Sequence, residues 1–113
     1  MSDVTIYHNP RCTKSRQTLE LLQARGIAPT VIEYLKTPPS PAGLAAILAK
    51  LGRGPRAIVR AKEAAEAGIA IDLDGDALIA ALSANPAAIE RPIVVKGDRA
   101  RIGRPPEAVL EIL

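Results

Sequence analysis

The chain has 113 residues, 48% of them hydrophobic and 24% charged, which is the balance of one globular domain spanning 1–113 rather than of a disordered segment. One cysteine, Cys12, excludes an internal disulfide, and one histidine, His8, leaves too few ligands for a Cys/His metal site. The formal charge is only +3, and with Tyr7 and Tyr34 as the sole aromatics there is no stacking platform for single-stranded nucleic acid.

Proline and glycine punctuate the chain. The opening stretch MSDVTIYHNP has neither a basic start nor an apolar core, so no signal peptide is expected. Within it, Val4-Thr5-Ile6-Tyr7 is a short β-prone run stopped by His8-Asn9-Pro10. From Cys12 to Arg25 the spacing turns helical, with Cys12, Ser15, Leu19 and Leu22 on one face and Gly26 as the stop. Thr30 to Leu35 reads as a second strand, which completes a βαβ unit. After the stiff turn Thr37-Pro38-Pro39, Ser40 is a natural N-cap with Pro41 at the first helical position. Leu44, Ile47, Leu48 and Leu51 then share a helix face that ends at Gly52.

The Ala-rich stretch from Pro55 to Ala67 is expected to be helical, with a weaker stripe. Asp74 or Asp76 would cap a further helix that stops before Pro86. Pro92 to Val95 is a strand, Lys96-Gly97-Asp98 a hairpin turn, and Arg99 to Ile102 the returning strand. Pro105 and Pro106 open a final helix with Val109, Ile112 and Leu113 on one side. No window approaches the roughly 18 uninterrupted apolar residues of a membrane span. The order β-α-β, helical insertion, β-β-α predicts an α/β domain with a small mixed sheet. No domain boundary is expected within it.

The small net charge conceals an asymmetry. Arg11, Lys14 and Arg16 surround the cysteine; Arg53, Arg56, Arg60 and Lys62 form a second group; Arg91, Lys96, Arg99, Arg101 and Arg104 form a third, interrupted by Asp98. These segments carry +11 and the remainder of the chain −8. Solvated basic loops are common, and Arg99 and Arg101 suit an edge strand that must discourage aggregation. Arg91 and Arg104 differ, since they bracket the open end of the hairpin and each adjoins a proline. A guanidinium fixed in that way suits recognition of a tetrahedral oxyanion. The clusters do not lie along a recognisable DNA-reading helix, so no nucleic-acid partner is expected.

Cys12 sits where a strand and turn pass into a helix. A lone cysteine is often a small buried hydrophobe, but Pro10 and Arg11 before it mark a loop-to-helix junction instead. There the free amides and the positive end of the helix dipole favour a thiolate, and Arg11, Lys14 and Arg16 add to the effect. Cys12-Thr13-Lys14-Ser15 has the spacing of a Cys-x-x-Cys motif with serine as the second member. Without another thiol the chain cannot resolve its own oxidised product, so the electrons must come from glutathione, glutaredoxin or thioredoxin. Ser15 is placed either to hydrogen-bond the thiolate or to act as a second cap. His8 is placed either to stabilise the thiolate or to hold the loop.

Tyr7-His8-Asn9-Pro10-Arg11-Cys12-Thr13-Lys14-Ser15-Arg16, taken with Arg91-Pro92-Ile93-Val94-Val95 and Ile102-Gly103-Arg104-Pro105, resembles the glutaredoxin-coupled arsenate reductase family. The likeness runs from Thr5 to Leu113, where well-studied members continue into a further C-terminal segment. It implies a thioredoxin-like fold with a helical insertion, and a cytoplasmic enzyme of arsenic detoxification that reduces arsenate to arsenite. Glutathione would be the co-substrate and glutaredoxin the partner, with no bound cofactor, no metal and no membrane association. By the same resemblance Cys12 is the nucleophile, Arg60, Arg91 and Arg104 bind the oxyanion, and His8 and Ser15 support the thiolate. The Arg91-Pro92 bond would be the cis-proline of such folds. Relatives leave two other readings open. One is a glutathione-dependent thiol oxidoreductase with another substrate. The other is a non-enzymatic regulator of the Spx kind that binds RNA polymerase, although such regulators usually carry two cysteines.

Overall fold

Alternation of side chains in β1 (Val4–His8) puts Val4, Ile6 and His8 on one buried face, in a computed structural model that describes residues 3–113. Met1 and Ser2, the start of the stretch read for a signal peptide, lie outside the described residues. The chain divides into two compact units, one made of the segments up to Tyr34 and from Arg91, the other of Leu35–Glu90.

The first unit is a four-stranded mixed sheet in the order β2-β1-β3-β4. β1 pairs in parallel with β2 (Thr30–Glu33) through the crossover helix α1 (Thr13–Ala24), and antiparallel with β3 (Ile93–Lys96). β4 (Arg99–Ile102) pairs antiparallel with β3, and Lys96 faces Arg99 across it. The connecting turn is therefore Gly97-Asp98 alone, with Gly97 at φ +60°, a two-residue connection that matches the strands' right-handed twist. Val4, Ile6, Leu22, Val94, Val109 and Ile112 form the core of this unit.

Three local expectations change in detail. β2 stops at Glu33, because Tyr34 turns into the interior while Leu35 is exposed. On α1 the buried residues are Ser15, Thr18 and Leu22, so the covered face is polar at the thiol end and apolar farther along. The final helix is a 3₁₀ helix, Pro106–Ile112, preceded by Pro105. Its buried residues Pro106, Val109 and Ile112 fall three apart, and three residues per turn stack them on one side.

The second unit is helical. α2 (Pro41–Leu51) begins at Ser40, whose Oγ accepts the Gly43 N–H at 3.0 Å, and it buries Leu44, Ile47 and Leu48. It packs against α4 (Gly75–Ala84), which Asp74 caps and which buries Leu78 and Leu82. The stretch from Pro55 to Ala67 is not one helix. A 3₁₀ turn, Pro55–Ile58, is followed by extended Val59, which bridges to Ile89, and only then by α3 (Ala61–Glu66). The Arg60 N–H donates to the Ala88 carbonyl at 2.8 Å and the Glu90 N–H to the Ile58 carbonyl at 2.7 Å. These bonds replace the helical ones that the Ile58 carbonyl and the Arg60 N–H give up.

Candidate active site

The strand-to-helix junction is held by Asn9, Ser15 and His8. Asn9 is buried; its Oδ1 accepts the Arg11 N–H at 3.0 Å and its carbonyl accepts the Cys12 N–H at 3.0 Å. The Asn9 N–H donates to Ser15 Oγ at 3.0 Å, and that oxygen lies 2.6 Å from His8 Nδ1. The same oxygen therefore joins the Asn9 amide to the His8 ring, and the tautomer of the ring sets whether the hydroxyl or the ring donates. Burial pushes the His8 pKa below the ordinary imidazole value, opposed by the charge of Glu33. The serine hydroxyl thus ties helix to loop, and its backbone amide is the part that serves the sulfur.

Cys12 is the N-cap of α1, with extended torsions (φ −90°, ψ 122°), and it is partly exposed. Its side chain makes no capping hydrogen bond. Burial raises its pKa, but the Ser15 N–H, the hydrogen bond and charge of Arg91, and the Lys14 N–H outweigh burial and leave the thiol below its usual range.

Arg104 completes the site from the other end of the first unit. Its Nη2 is 3.6 Å from Cys12 Sγ, and its Nε donates to the Arg91 carbonyl at 2.8 Å. Arg91–Pro92 is cis, and so is Arg104–Pro105, which the residue pattern did not single out. Of the three arginines proposed from the sequence, Arg91 and Arg104 are gathered at the sulfur. Arg60 lies in the helical unit, where Nε donates to Glu63 Oε1 and Nη1 to Glu90 Oε1, each at 3.1 Å. Burial disfavours its charge, and the two carboxylates more than restore it.

Sequence reasoning did not single out three residues that build this site: Asn9, Thr18 and Gly103. Asn9 is visible in the sequence only as a turn former before Pro10. Nothing in the spacing marks Thr18, fully buried one turn beyond Lys14, or Gly103, which sits between β4 and Arg104. Among the described residues no three His, Cys, Asp or Glu side chains are gathered as a metal site requires.

The chain matches the model of the ArsC family over residues 7–112. It is 49% identical to a protein of Escherichia coli named "Uncharacterized protein YfgD", over 97% of this chain and 96% of that one. It is 44% identical to a protein of Neisseria meningitidis serogroup A named arsenate reductase, over the whole of both chains. Among solved structures, an arsenate reductase from Vibrio cholerae superposes with a TM-score of 0.91 at 52% identity, covering 97% of each chain. The fold is thus the α/β domain with a small mixed sheet expected from the element order, in the thioredoxin-like arrangement with a helical insertion that the resemblance implied.

Proposed function

This chain belongs to the ArsC family, and on that premise we propose that it reduces arsenate to arsenite with the Cys12 thiolate as nucleophile. One observation carries the reading: a thiol held below its usual pKa has Arg91 and Arg104 at its sulfur. Nucleophile and oxyanion-binding cations meet at one point, which is what attack on an anionic substrate requires. The names of the full-length relatives support the substrate.

In the proposed reaction Cys12 Sγ bonds to arsenic and one arsenate oxygen, protonated, leaves as water or hydroxide. Glutathione displaces a second oxygen. The sulfurs then join: one arsenic–sulfur bonding pair becomes the disulfide bond, the other stays on arsenic, and arsenic takes back one water to depart as arsenite, reduced by two electrons drawn from the two thiols. Net of proton transfers, arsenate and two thiols give arsenite, water and the mixed disulfide of Cys12 with glutathione. Glutaredoxin takes up that disulfide and regenerates the thiol, a step this single-cysteine chain cannot perform alone. Glutathione is a co-substrate here rather than a resident group, and the reducing cytoplasm is the compartment that supplies it.

Purified protein supplied with arsenate, glutathione and glutaredoxin should release arsenite. Turnover of a glutathione mixed disulfide without arsenite would replace this reading with a thiol oxidoreductase of another substrate. Capture of RNA polymerase that survives Cys12→Ser would replace it with a regulator. Arg60 enters as the third oxyanion-binding residue by family resemblance, and Arg60→Lys should raise KM for arsenate about tenfold, the worth of one charge-assisted contact.

A further inference from the structure

Gly103 is buried between β4 and Arg104, and its backbone lies outside the left-handed region. Conformational freedom is therefore not why glycine stands there. A Cβ built at this position would fall 2.6 Å from Thr18 Oγ1, 2.7 Å from Pro92 Cγ and 3.2 Å from Thr18 Cγ2. Neither neighbour can give way cheaply. Thr18 is β-branched, fully buried on α1, and its Oγ1 donates to the Lys14 carbonyl at 2.8 Å. Pro92 is a fully buried ring. An added methyl must displace backbone instead.

That backbone carries the active-site cations. The Gly103 N–H donates to the Pro92 carbonyl at 2.9 Å. One residue on, Arg104 bonds the Arg91 carbonyl and reaches Cys12 Sγ; one residue before Pro92, Arg91 supplies the charge that lowers the thiol. We infer that Gly103 is a positioning residue of the thiol site: its missing Cβ lets the exit of β4 close on Thr18 and Pro92, and this closure sets Arg91 and Arg104 against Cys12. The inference deepens the reading above by adding a residue that touches neither sulfur nor substrate, and it rests on that reading only for the arsenate readout.

Thiolate absorbance, or the pH dependence of iodoacetamide alkylation, tests it without arsenate. Gly103→Ala should move the Cys12 titration upward by about half a pH unit or more, which is about threefold less thiolate on the acid side of the transition. Adding Thr18→Ala removes two of the three close atoms and should move it part of the way back. If the single variant does not fold, the double variant still serves, because Pro92 Cγ remains 2.7 Å from the added carbon and its titration should lie above wild type. Gly97→Ala is the control: its φ of +60° makes an alanine costly through the backbone, with open space around it. It should melt earlier yet titrate as wild type. An unshifted titration in the folded Gly103 variant, or an equal shift in the Gly97 variant, overturns the inference. Failure of the wild-type protein to reduce arsenate, with the titration shifted by Gly103→Ala and not by Gly97→Ala, would instead count against the proposed substrate alone.

Discussion

The first helix of the sheet-containing unit and the first helix of the inserted unit begin on opposite terms. α2 starts with Ser40, whose side chain satisfies an otherwise orphaned amide, and with Pro41 already in helical geometry. α1 starts with Cys12, has no capping side-chain bond and no acidic residue in its first turn, and places Lys14 and Arg16 near the positive end of its own dipole. By the ordinary rules of helix stability α1 is badly begun. The amides left uncapped are the ones aimed at the thiolate, so the start of α1 gives up stability for chemistry while the start of α2 serves stability alone.

The sharpest way to break this contrast is Cys12→Ser. Serine is a good N-cap, so at a pH below the measured Cys12 titration, where the thiol is neutral, the variant should be more stable by about 0.5–2 kcal/mol in urea titration. Arsenate reduction should fall by more than about a thousandfold, the order of loss when a nucleophile is removed. A variant that loses activity and stability together would show that the start of α1 is not a trade between them.

Removing a cation from the sulfur comes next in size. Arg104→Ala should lower kcat/KM for arsenate by about 10²–10³, as the loss of one preorganised oxyanion donor does. The alkylation midpoint of Cys12 should rise toward the ordinary thiol value. Arg104→Lys should recover part of the charge effect and little of the two-pronged contact with Sγ and the Arg91 carbonyl. The sign for stability comes from the direction of the shift. A thiol whose pKa is lower folded than unfolded stabilises the fold fully above about pH 8.5, and the contribution disappears as pH falls through the depressed value. Wild type should therefore exceed Arg104→Ala in stability by more at pH 9 than at pH 5. Equal differences at both pH values would deny that Arg104 acts on the thiolate.

Much of this contrast is legible in the residues themselves. A rare cysteine after Asn9-Pro10-Arg11 and a Ser40-Pro41 pair each announce a helix start, because capping chemistry is local and written in neighbouring side chains. The β-prone run of β1, the alternating Arg99 and Arg101 of β4 and the turn around Gly97 are local in the same sense, although Lys96 belongs to the strand and not to the turn. The failures involve partners distant in the chain. The Ala-rich stretch from Pro55 satisfies helix propensity throughout, and what breaks it is the bridge from Val59 to Ile89, which no nearby residue signals. Likewise the Ser15 hydroxyl faces His8 and Asn9 instead of the sulfur because the end of β1 lies beside α1, a consequence of packing and not of spacing. Gly103 is the extreme case, since a residue chosen for the atoms it lacks leaves no positive mark in the sequence.

Ser40→Ala is the smallest expected effect and tests the other side of the contrast. Deleting Oγ leaves the Gly43 N–H without its capping acceptor, at a cost of about 1 kcal/mol, or roughly 4 °C in Tm for a chain of this size. Pro41 remains at the first helical position and the buried row Leu44, Ile47 and Leu48 is untouched, so the helix itself should persist by circular dichroism. Because this cap serves only to satisfy an amide, the loss should be the same at pH 5 and pH 9 and the Cys12 alkylation profile should not move. A pH-dependent loss would mean that the start of α2 is coupled to an ionising group, and the contrast between a helix begun for stability and one begun for chemistry would fail on the side that looked simpler.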